Sequence, residues 1–284
     1  MRLEYKPDNE NTNTEELADQ LKETLKGDNI KEEMKDQLSK IKDKPLKEQL
    51  AYYARYYGIA AVAVVVVLFI LFSIIHDVAS KKETAFKAMI VNATGLSAYS
   101  VDEEFAEYAG IDLNKYACDI DVGSFLSTSG FSYDDSATLT RFVADIQTKD
   151  MDCAIFHSER FYIDSMNMFY KDLRTVLPEA DLERFKEQFY YIDYAEYEKM
   201  DKGDISKPAS PDTEPTLEEM EANLNFHRDP GNMSDPIPVG IIIDDCPYLT
   251  EKNAYPLLTP VYGIIINTER EELAIQFLHF LYGY

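Results

Sequence analysis

Met151-Asp152-Cys153-Ala154-Ile155-Phe156 is the stretch that decides the fold class of this chain. Its last four residues form a continuous apolar run, which is typical of a strand buried on both faces. A helical stretch begins directly after it at Ser158, and another precedes it, with one apolar face formed by Leu139, Phe142, Val143 and Ile146. A buried strand between two helices indicates a sheet that is flanked by helices.

The same alternation continues on both sides of this stretch. Further apolar runs predict strands over residues 84–91, 116–122, 238–243 and 261–266. Ser100 and Glu103 have capping-box spacing and open a helix that stops at Gly110, while Thr268 and Glu271 open the last helix. We therefore predict an α/β domain with a parallel sheet over residues 79–284, interrupted by an acidic, Pro-rich loop at about 201–235.

A second feature is the uncharged segment from about 56 to 75, which is nearly pure Ala, Val, Leu, Ile and Phe from Ile59 to Phe72. A helix of this length covers about 30 Å, the thickness of the hydrocarbon core of a bilayer. Five Lys or Arg residues precede the segment and three follow it, which favours a cytoplasmic N-terminus. We expect one transmembrane helix within residues 45–78, a plasma-membrane location with the lipid bilayer as a partner, and an extracellular C-terminal domain.

Residues 1–44 then form the cytoplasmic arm. Leu17, Leu21 and Leu25 recur at helical spacing, and a second narrow stripe is formed by Ile30, Met34, Leu38 and Ile41. Glu and Lys surround both stripes, so the arm is either a solvated helical spacer or a helical hairpin that binds a partner or associates with itself.

Charge and cysteine content exclude several classes of function. The net charge of −24 argues against a nucleic-acid partner, because phosphate binding needs clustered Lys and Arg. The three cysteines, Cys118, Cys153 and Cys246, show no metal-ligand spacing. Cys118 and Cys153 fall in predicted strands, where we interpret them as small buried side chains; a disulfide is the alternative.

No catalytic or metal-binding motif is apparent in the sequence. The glycines are scattered, the four histidines lie apart, and Asp119 and Asp121 lack the further oxygen ligands of a calcium loop. We accordingly expect no enzymatic activity, no cofactor and no metal site.

Any small-molecule site should lie where parallel strands end, since ligands of α/β sheets bind beyond the carboxyl ends of the strands. The polar residues at the predicted strand ends are Asn92, Thr94, Ser124, His157, Ser158 and Asn267. Their Asn, Ser and Thr side chains suit an uncharged polar ligand, and the surrounding acidic residues would repel an anion. The alternative is that these residues cap the helices that follow.

Three stretches resemble the extracellular solute-binding proteins of bacterial ABC importers, the bilobed class with type 2 connectivity. They are residues 151–156, residues 169–178 with Asp172-Leu173 and Val176-Leu177-Pro178, and residues 263–278, whose final helix is similar to the family's packing helix. The resemblance implies a solute-binding fold. Residues 79–284 are too few for two full lobes, so one lobe would be missing or reduced to about Tyr190–Asp245.

Together these observations lead to a functional hypothesis. We expect a membrane-anchored, non-enzymatic surface domain, similar to solute-binding proteins, that binds a solute or a transporter or envelope protein. The alternative is a structural or assembly membrane protein that acts through its helical arm and spanning helix.

Overall fold

The computed structural model describes residues 45–80, 82–127, 133–208 and 215–284, together with Lys35 and Ser39. The chain divides between Lys81 and Lys82 into two units. The predicted arm, residues 1–44, lies outside the described residues except for Lys35 and Ser39.

The helices are α1 (Leu46–Ser80), α2 (Ala98–Ala109), α3 (Tyr133–Gln147), α4 (Ser158–Ser165), α5 (Leu173–Val176), α6 (Glu179–Phe185), α7 (Tyr194–Asp201), α8 (Leu217–Arg228), α9 (Pro247–Glu251) and α10 (Glu271–Tyr282). The strands are β1 (Glu83–Ile90), β2 (Tyr116–Asp121), β3 (Cys153–His157), β4 (Phe189–Asp193), β5 (Pro236–Ile242) and β6 (Pro260–Ile264). Two short 3₁₀ turns, Lys186–Gln188 and Pro230–Asn232, complete the described elements.

The first unit is represented by α1, whose apolar side chains from Val62 to Ile75 are exposed. Within the described part of the chain, no helix combines the length and the apolar composition that crossing a membrane requires. This finding corrects the predicted transmembrane helix at 56–75, and with it the plasma-membrane location and the extracellular placement of the C-terminal domain.

The second unit contains one six-stranded sheet in the order β2-β1-β3-β6-β5-β4. The neighbours β2, β1 and β3 are parallel, whereas β6 is antiparallel to both β3 and β5, and β4 is antiparallel to β5. The predicted α/β class is confirmed, but the sheet is mixed and not parallel throughout.

Helices cover both faces of this sheet because its central strands are apolar on both sides. In β3, Cys153 and Ile155 belong to one core, and Ala154 and Phe156 belong to the other. The first core also holds the aromatic cluster of Phe86, Phe105 and Phe277, which joins β1 to α2 and α10. The sheet is therefore the middle layer of a three-layer α/β/α arrangement.

Close packing beneath α4 explains two glycines in the sheet. Phe161 stacks on Tyr170 with ring centroids 4.2 Å apart. A Cβ atom on Gly263 would lie 2.5 Å from the Tyr170 ring, and one on Gly240 would lie 2.6 Å from the Phe161 ring. Only glycine lets these two rings lie directly against β5 and β6.

Several local predictions are confirmed and others are wrong. Gly110 ends α2 in the left-handed conformation, as expected, but the helix begins at Ala98 with Ser97 as its N-cap, so the capping box at Ser100 is wrong. The predicted loop at 201–235 contains α8, which a capping box of Thr216 and Glu219 opens. Phe189–Asp193, where no strand was expected, forms β4. Cys118, Cys153 and Cys246 are buried and free, as interpreted for the first two.

Candidate functional site

The carboxyl ends of β1, β2, β3 and β5 lie at the same edge of the sheet, because these four strands run in one direction. We call this side the upper edge. β4 and β6 run the opposite way, so they begin at the upper edge. By the general rule for open α/β sheets, the upper edge is where a ligand is expected.

Asn92 ties the loops of the upper edge together. It follows β1 in a left-handed conformation with φ 62°. Its Oδ1 accepts a hydrogen bond from the Leu126 backbone N–H at 2.6 Å, and its Nδ2 donates to the Leu126 carbonyl at 2.9 Å. Nδ2 also lies 3.4 Å from Nδ1 of His157. The side-chain amide is therefore committed to the protein and holds the chain after β2 against β1 and β3.

His157 ends β3 and is almost fully buried. Burial, with a smaller contribution from the nearby Arg160 charge, lowers the pKa of His157 to about 4. The imidazole is neutral at pH 7, and the neighbouring Asn92 amide assigns the acceptor role to Nδ1.

Ser124 belongs to a surface network at the end of β2. Its hydroxyl donates to Oδ2 of Asp121 at 2.7 Å and accepts from the guanidinium of Arg141 at 2.7 Å. Arg141 also pairs directly with Asp121. No sequence pattern pointed to Arg141, because it lies on α3 and reaches Ser124 only in the folded domain.

A segment without regular structure, residues 253–259, lies over the ends of β1 and β3. The Thr94 backbone N–H donates to the Ala254 carbonyl at 2.8 Å, and the Tyr255 hydroxyl donates to the Val91 carbonyl at 2.6 Å. The Ser158 backbone N–H donates to the Thr259 carbonyl at 3.1 Å. We call residues 253–259 the covering segment. It occupies much of the crevice that the sequence predicts at these strand ends.

Asn267 is not part of the upper edge. It follows β6, and because β6 runs antiparallel to β3, Asn267 lies at the opposite edge of the sheet. Its Nδ2 donates to the Ile146 carbonyl at 2.6 Å, while its buried Oδ1 has no hydrogen-bond partner among the residues that the structure describes. The sequence analysis grouped Asn267 with the other five residues on the assumption of a parallel strand, and the structure does not bring it together with them.

The six candidates thus separate by position and by role. Asn92, Ser124 and His157 lie together, and Thr94 and Ser158 lie beneath the covering segment. None of the six makes a side-chain N-cap bond to a described helix; His157 occupies the N-cap position of α4 without a side-chain bond. Most of them connect loops instead.

Described residues line a cavity on each side of the covering segment at the upper edge. The first has a volume of about 160 Å³ and lies between the end of β5 and α9. Its lining includes Ile243, Asp244, Leu249, Thr250, Tyr255 and Leu258. The second, of about 110 Å³, lies between the first turn of α4 and α8, and its lining includes Ser158, Glu159, Met220, Glu221, Leu224 and Leu257. We call them the β5 cavity and the α4–α8 cavity.

Acidic and apolar side chains line both cavities. Asp244 lines the β5 cavity, and Glu159 and Glu221 line the α4–α8 cavity; no Lys, Arg or His belongs to either described lining. Asp244 is paired with Arg228 at 2.8 Å. Glu159 differs, since its buried Oε1 has no hydrogen-bond partner among the described residues. Burial raises the pKa of Glu159, although its own backbone N–H and the Ser158 hydroxyl lower it.

The thiols show no sign of activation. Burial raises the pKa of Cys118 to about 12 and that of Cys246 to about 11. Within the described ranges, no three His, Cys, Asp or Glu side chains are grouped so that they could hold a metal ion. The linings of the two cavities offer carboxylate and hydroxyl oxygens as hydrogen-bond acceptors.

Comparisons with protein-family models, with curated proteins and with solved structures return no match for this chain.

The sequence analysis predicted one residue of the α4–α8 cavity, Ser158, as part of a site. It did not predict Glu159, Glu221 or any residue that lines the β5 cavity. Glu159 could have been found, since it directly follows a predicted strand end. Asp244 could also have been found, since it directly follows the predicted strand 238–243. Glu221 carried no such signal, because α8 approaches the strand ends only through tertiary packing.

Proposed function

We propose that residues 82–284 form a non-enzymatic binding domain that takes a small solute at the upper edge of its sheet. The observation that carries this proposal is the β5 cavity, a concave and largely apolar space at a strand end, with Asp244 and Thr250 as polar groups. Small-molecule sites combine these features and are found at this edge of α/β sheets.

The size of the cavities limits the solute. A cavity of roughly 150 Å³ accommodates a benzene-sized molecule, whereas drug-sized ligands need roughly 300–1,000 Å³. The β5 cavity, at about 160 Å³, therefore suits a ligand of a few heavy atoms or one end of a larger ligand. The acidic lining and the net charge of −24 disfavour anions.

The resemblance of residues 151–156, 169–178 and 263–278 to solute-binding proteins is part of the same proposal. It agrees with a role in capture and does not depend on a second lobe. Binding of a transporter or envelope protein at the same edge is the second possibility, and the covering segment would then present its exposed side chains to that protein.

Titration calorimetry and thermal unfolding of the full chain with small sugars, dipeptides, amines and inorganic cations test this proposal. Leu258→Trp fills the β5 cavity, and Tyr116→Trp, on the exposed start of β2, is the matched control. We expect at least one solute to raise the Tm of the wild type and of the control but not of Leu258→Trp. Absence of any response in the wild type would refute the capture role.

A further inference from the structure

Helix α8 is held to the domain by few buried side chains. Of its 12 residues, all of which the structure describes, two are buried, Leu224 and His227. Helix α10 has the same length and buries four residues. Because the burial of one face supplies most of the free energy that keeps a helix in place, α8 is the more weakly packed of the two.

The other contacts of α8 add little to this packing. Arg228 pairs with Asp244 at 2.8 Å, but both side chains are more than a third exposed, and exposed ion pairs contribute little to stability. The buried Oδ1 of Asn223 has no hydrogen-bond partner among the described residues, which costs free energy while α8 is packed. The capping box of Thr216 and Glu219 is local to the helix, so it stabilises α8 whether or not the helix contacts the sheet.

His227 is the polar contact that fixes the C-terminal end of α8. Its Nδ1 lies 2.7 Å from the Tyr191 carbonyl of β4. A carbonyl can only accept a hydrogen bond, so Nδ1 carries the proton and Nε2 of the neutral ring carries none. The ring stacks on Tyr190 with centroids 4.6 Å apart, and it lies 4.9 Å from the ring of Tyr162. His227 therefore connects α8 to both β4 and α4.

The surroundings of His227 favour its neutral form. Burial lowers its pKa to about 4, and its hydrogen bond to a backbone carbonyl offsets part of this effect. The titratable groups that face the ring are Tyr190 from β4 and Tyr162 from α4, and burial raises the pKa of both above the ordinary value of a tyrosine. Two carboxylates act on these tyrosines, Glu159 on Tyr190 and Glu196 on Tyr162. A second proton on His227 would be a buried charge without a counter-ion among the described residues.

We propose that α8 is a flap over the edge strand β4, and that protonation of His227 releases this flap from the sheet. Release uncovers the Tyr191 carbonyl of β4, which is the last strand in the order of the sheet. It also opens the α4–α8 cavity, because four of the described lining residues belong to α8. Release of the flap requires no solute, so it stands apart from the proposed function.

Hydrogen exchange of the full chain at pH 7 and pH 5, followed by mass spectrometry, tests this inference. The exchange rates are corrected for the pH dependence of unprotected amides, and peptides from α10 serve as the internal reference. We expect the amides of α8 to be protected at least about tenfold less than those of α10, because α8 opens while the rest of the domain stays folded.

The variant His227→Gln assigns the pH dependence to one residue. It keeps a side-chain donor for the Tyr191 carbonyl and does not titrate. From pH 7 to pH 5, the protection of α8 should fall by about 20-fold more in the wild type than in this variant. This is the change for an imidazole whose pKa returns from about 4 to 6.5 on release, since the released state then binds the proton more tightly.

A second histidine supplies the matched control. His279, on α10, pairs with Asp181 at 2.9 Å, and His279→Gln should keep the wild-type pH response of α8. Burial raises the pKa of Glu159, so its protonation favours the packed flap as pH falls and acts with the opposite sign to His227. Glu159 is present in all three proteins, so its effect cancels in the comparison.

Three outcomes would overturn the inference. Equal protection of α8 and α10 at both pH values would mean that α8 opens only when the whole domain unfolds, and this result needs no variant. An equal fall in the protection of α8 in the wild type and His227→Gln would mean that another group releases the helix. Loss of the response in His279→Gln would mean that it is not specific to His227. Failure of every solute to bind would refute the proposed function and leave the flap standing.

Discussion

Leu257 and Leu258 are adjacent in the chain, yet Leu257 lines the α4–α8 cavity and Leu258 lines the β5 cavity. The covering segment thus separates the two cavities and contributes an apolar side chain to each. Substitutions at these two leucines can therefore show which of the two cavities a ligand occupies.

Substitution of either leucine by Trp should block only the cavity that it lines. Leu257 is largely exposed and Leu258 is half-buried, so each substitution should change the free energy of unfolding by about 1 kcal/mol or less. Urea unfolding of the two variants measures this change in stability. Titration of each variant with a ligand whose binding cavity is known shows whether the substitution prevents binding in that cavity. Loss of one ligand's binding in both variants would show that the two cavities act as one site.

Asn92 should be one of the most sensitive polar residues of the domain. Asn92→Ala removes two hydrogen bonds to Leu126 and forces alanine into a left-handed conformation, so we expect a loss of about 2–4 kcal/mol in the free energy of unfolding. Asn92→Gly keeps the backbone freedom and should lose about 1 kcal/mol less. Urea unfolding followed by tyrosine fluorescence measures both; equal losses would show that the left-handed conformation costs nothing.

Asp152 anchors the lower edge, opposite the upper edge. It is fully buried and accepts hydrogen bonds from Arg270 Nε at 2.9 Å and from the Lys87 backbone N–H at 2.9 Å. Burial raises the pKa of Asp152, and these partners lower it. Asp152→Asn leaves Arg270 without its counter-ion and should cost about 3–5 kcal/mol.

The neighbouring exposed pair Lys149–Glu269, 2.5 Å apart, supplies the matched control for Asp152. Glu269→Gln should change the free energy of unfolding by about 1 kcal/mol or less, because exposed ion pairs are screened by solvent. Comparable losses in Asp152→Asn and Glu269→Gln would contradict the role given to burial.

His227 should make the domain less stable in mild acid. Burial lowers the pKa of His227 to about 4, although its Nδ1 lies 2.7 Å from the Tyr191 carbonyl. Between about pH 6.5 and 4, unfolded His227 binds a proton that the folded side chain does not, so its contribution to stability is lost as pH falls.

The variant His227→Gln keeps a donor for the Tyr191 carbonyl and removes this titration. From pH 7 to pH 4, the wild type should lose about 2–3 kcal/mol relative to His227→Gln. Asp102 and Asp164, whose pKa values burial raises to about 6, act with the opposite sign, but both remain in the variant and cancel in the difference. Urea unfolding midpoints across this pH range measure the difference in stability between the two proteins. The same pH dependence in both proteins would contradict the role given to His227.

Local sequence patterns account for much of the fold. The apolar run Cys153–Phe156 predicted a strand buried on both faces, and β3 has side chains in both cores. The same pattern located β1, β2, β5 and β6 to within a few residues. These predictions succeed because the alternation of side chains along a strand is a property of consecutive residues.

The sequence by itself determined the α/β class, most of the strands, and the burial of Cys118 and Cys153. Only the tertiary structure decided that β6 runs antiparallel, that Asn267 therefore lies away from the other candidates, and that the covering segment leaves two acidic cavities at the upper edge. The physical reason is that strand direction and cavity lining depend on where a connecting segment packs. The segment before β6 is bonded to residues more than 100 positions away, such as Thr94 and Ser158, and no local pattern records those contacts.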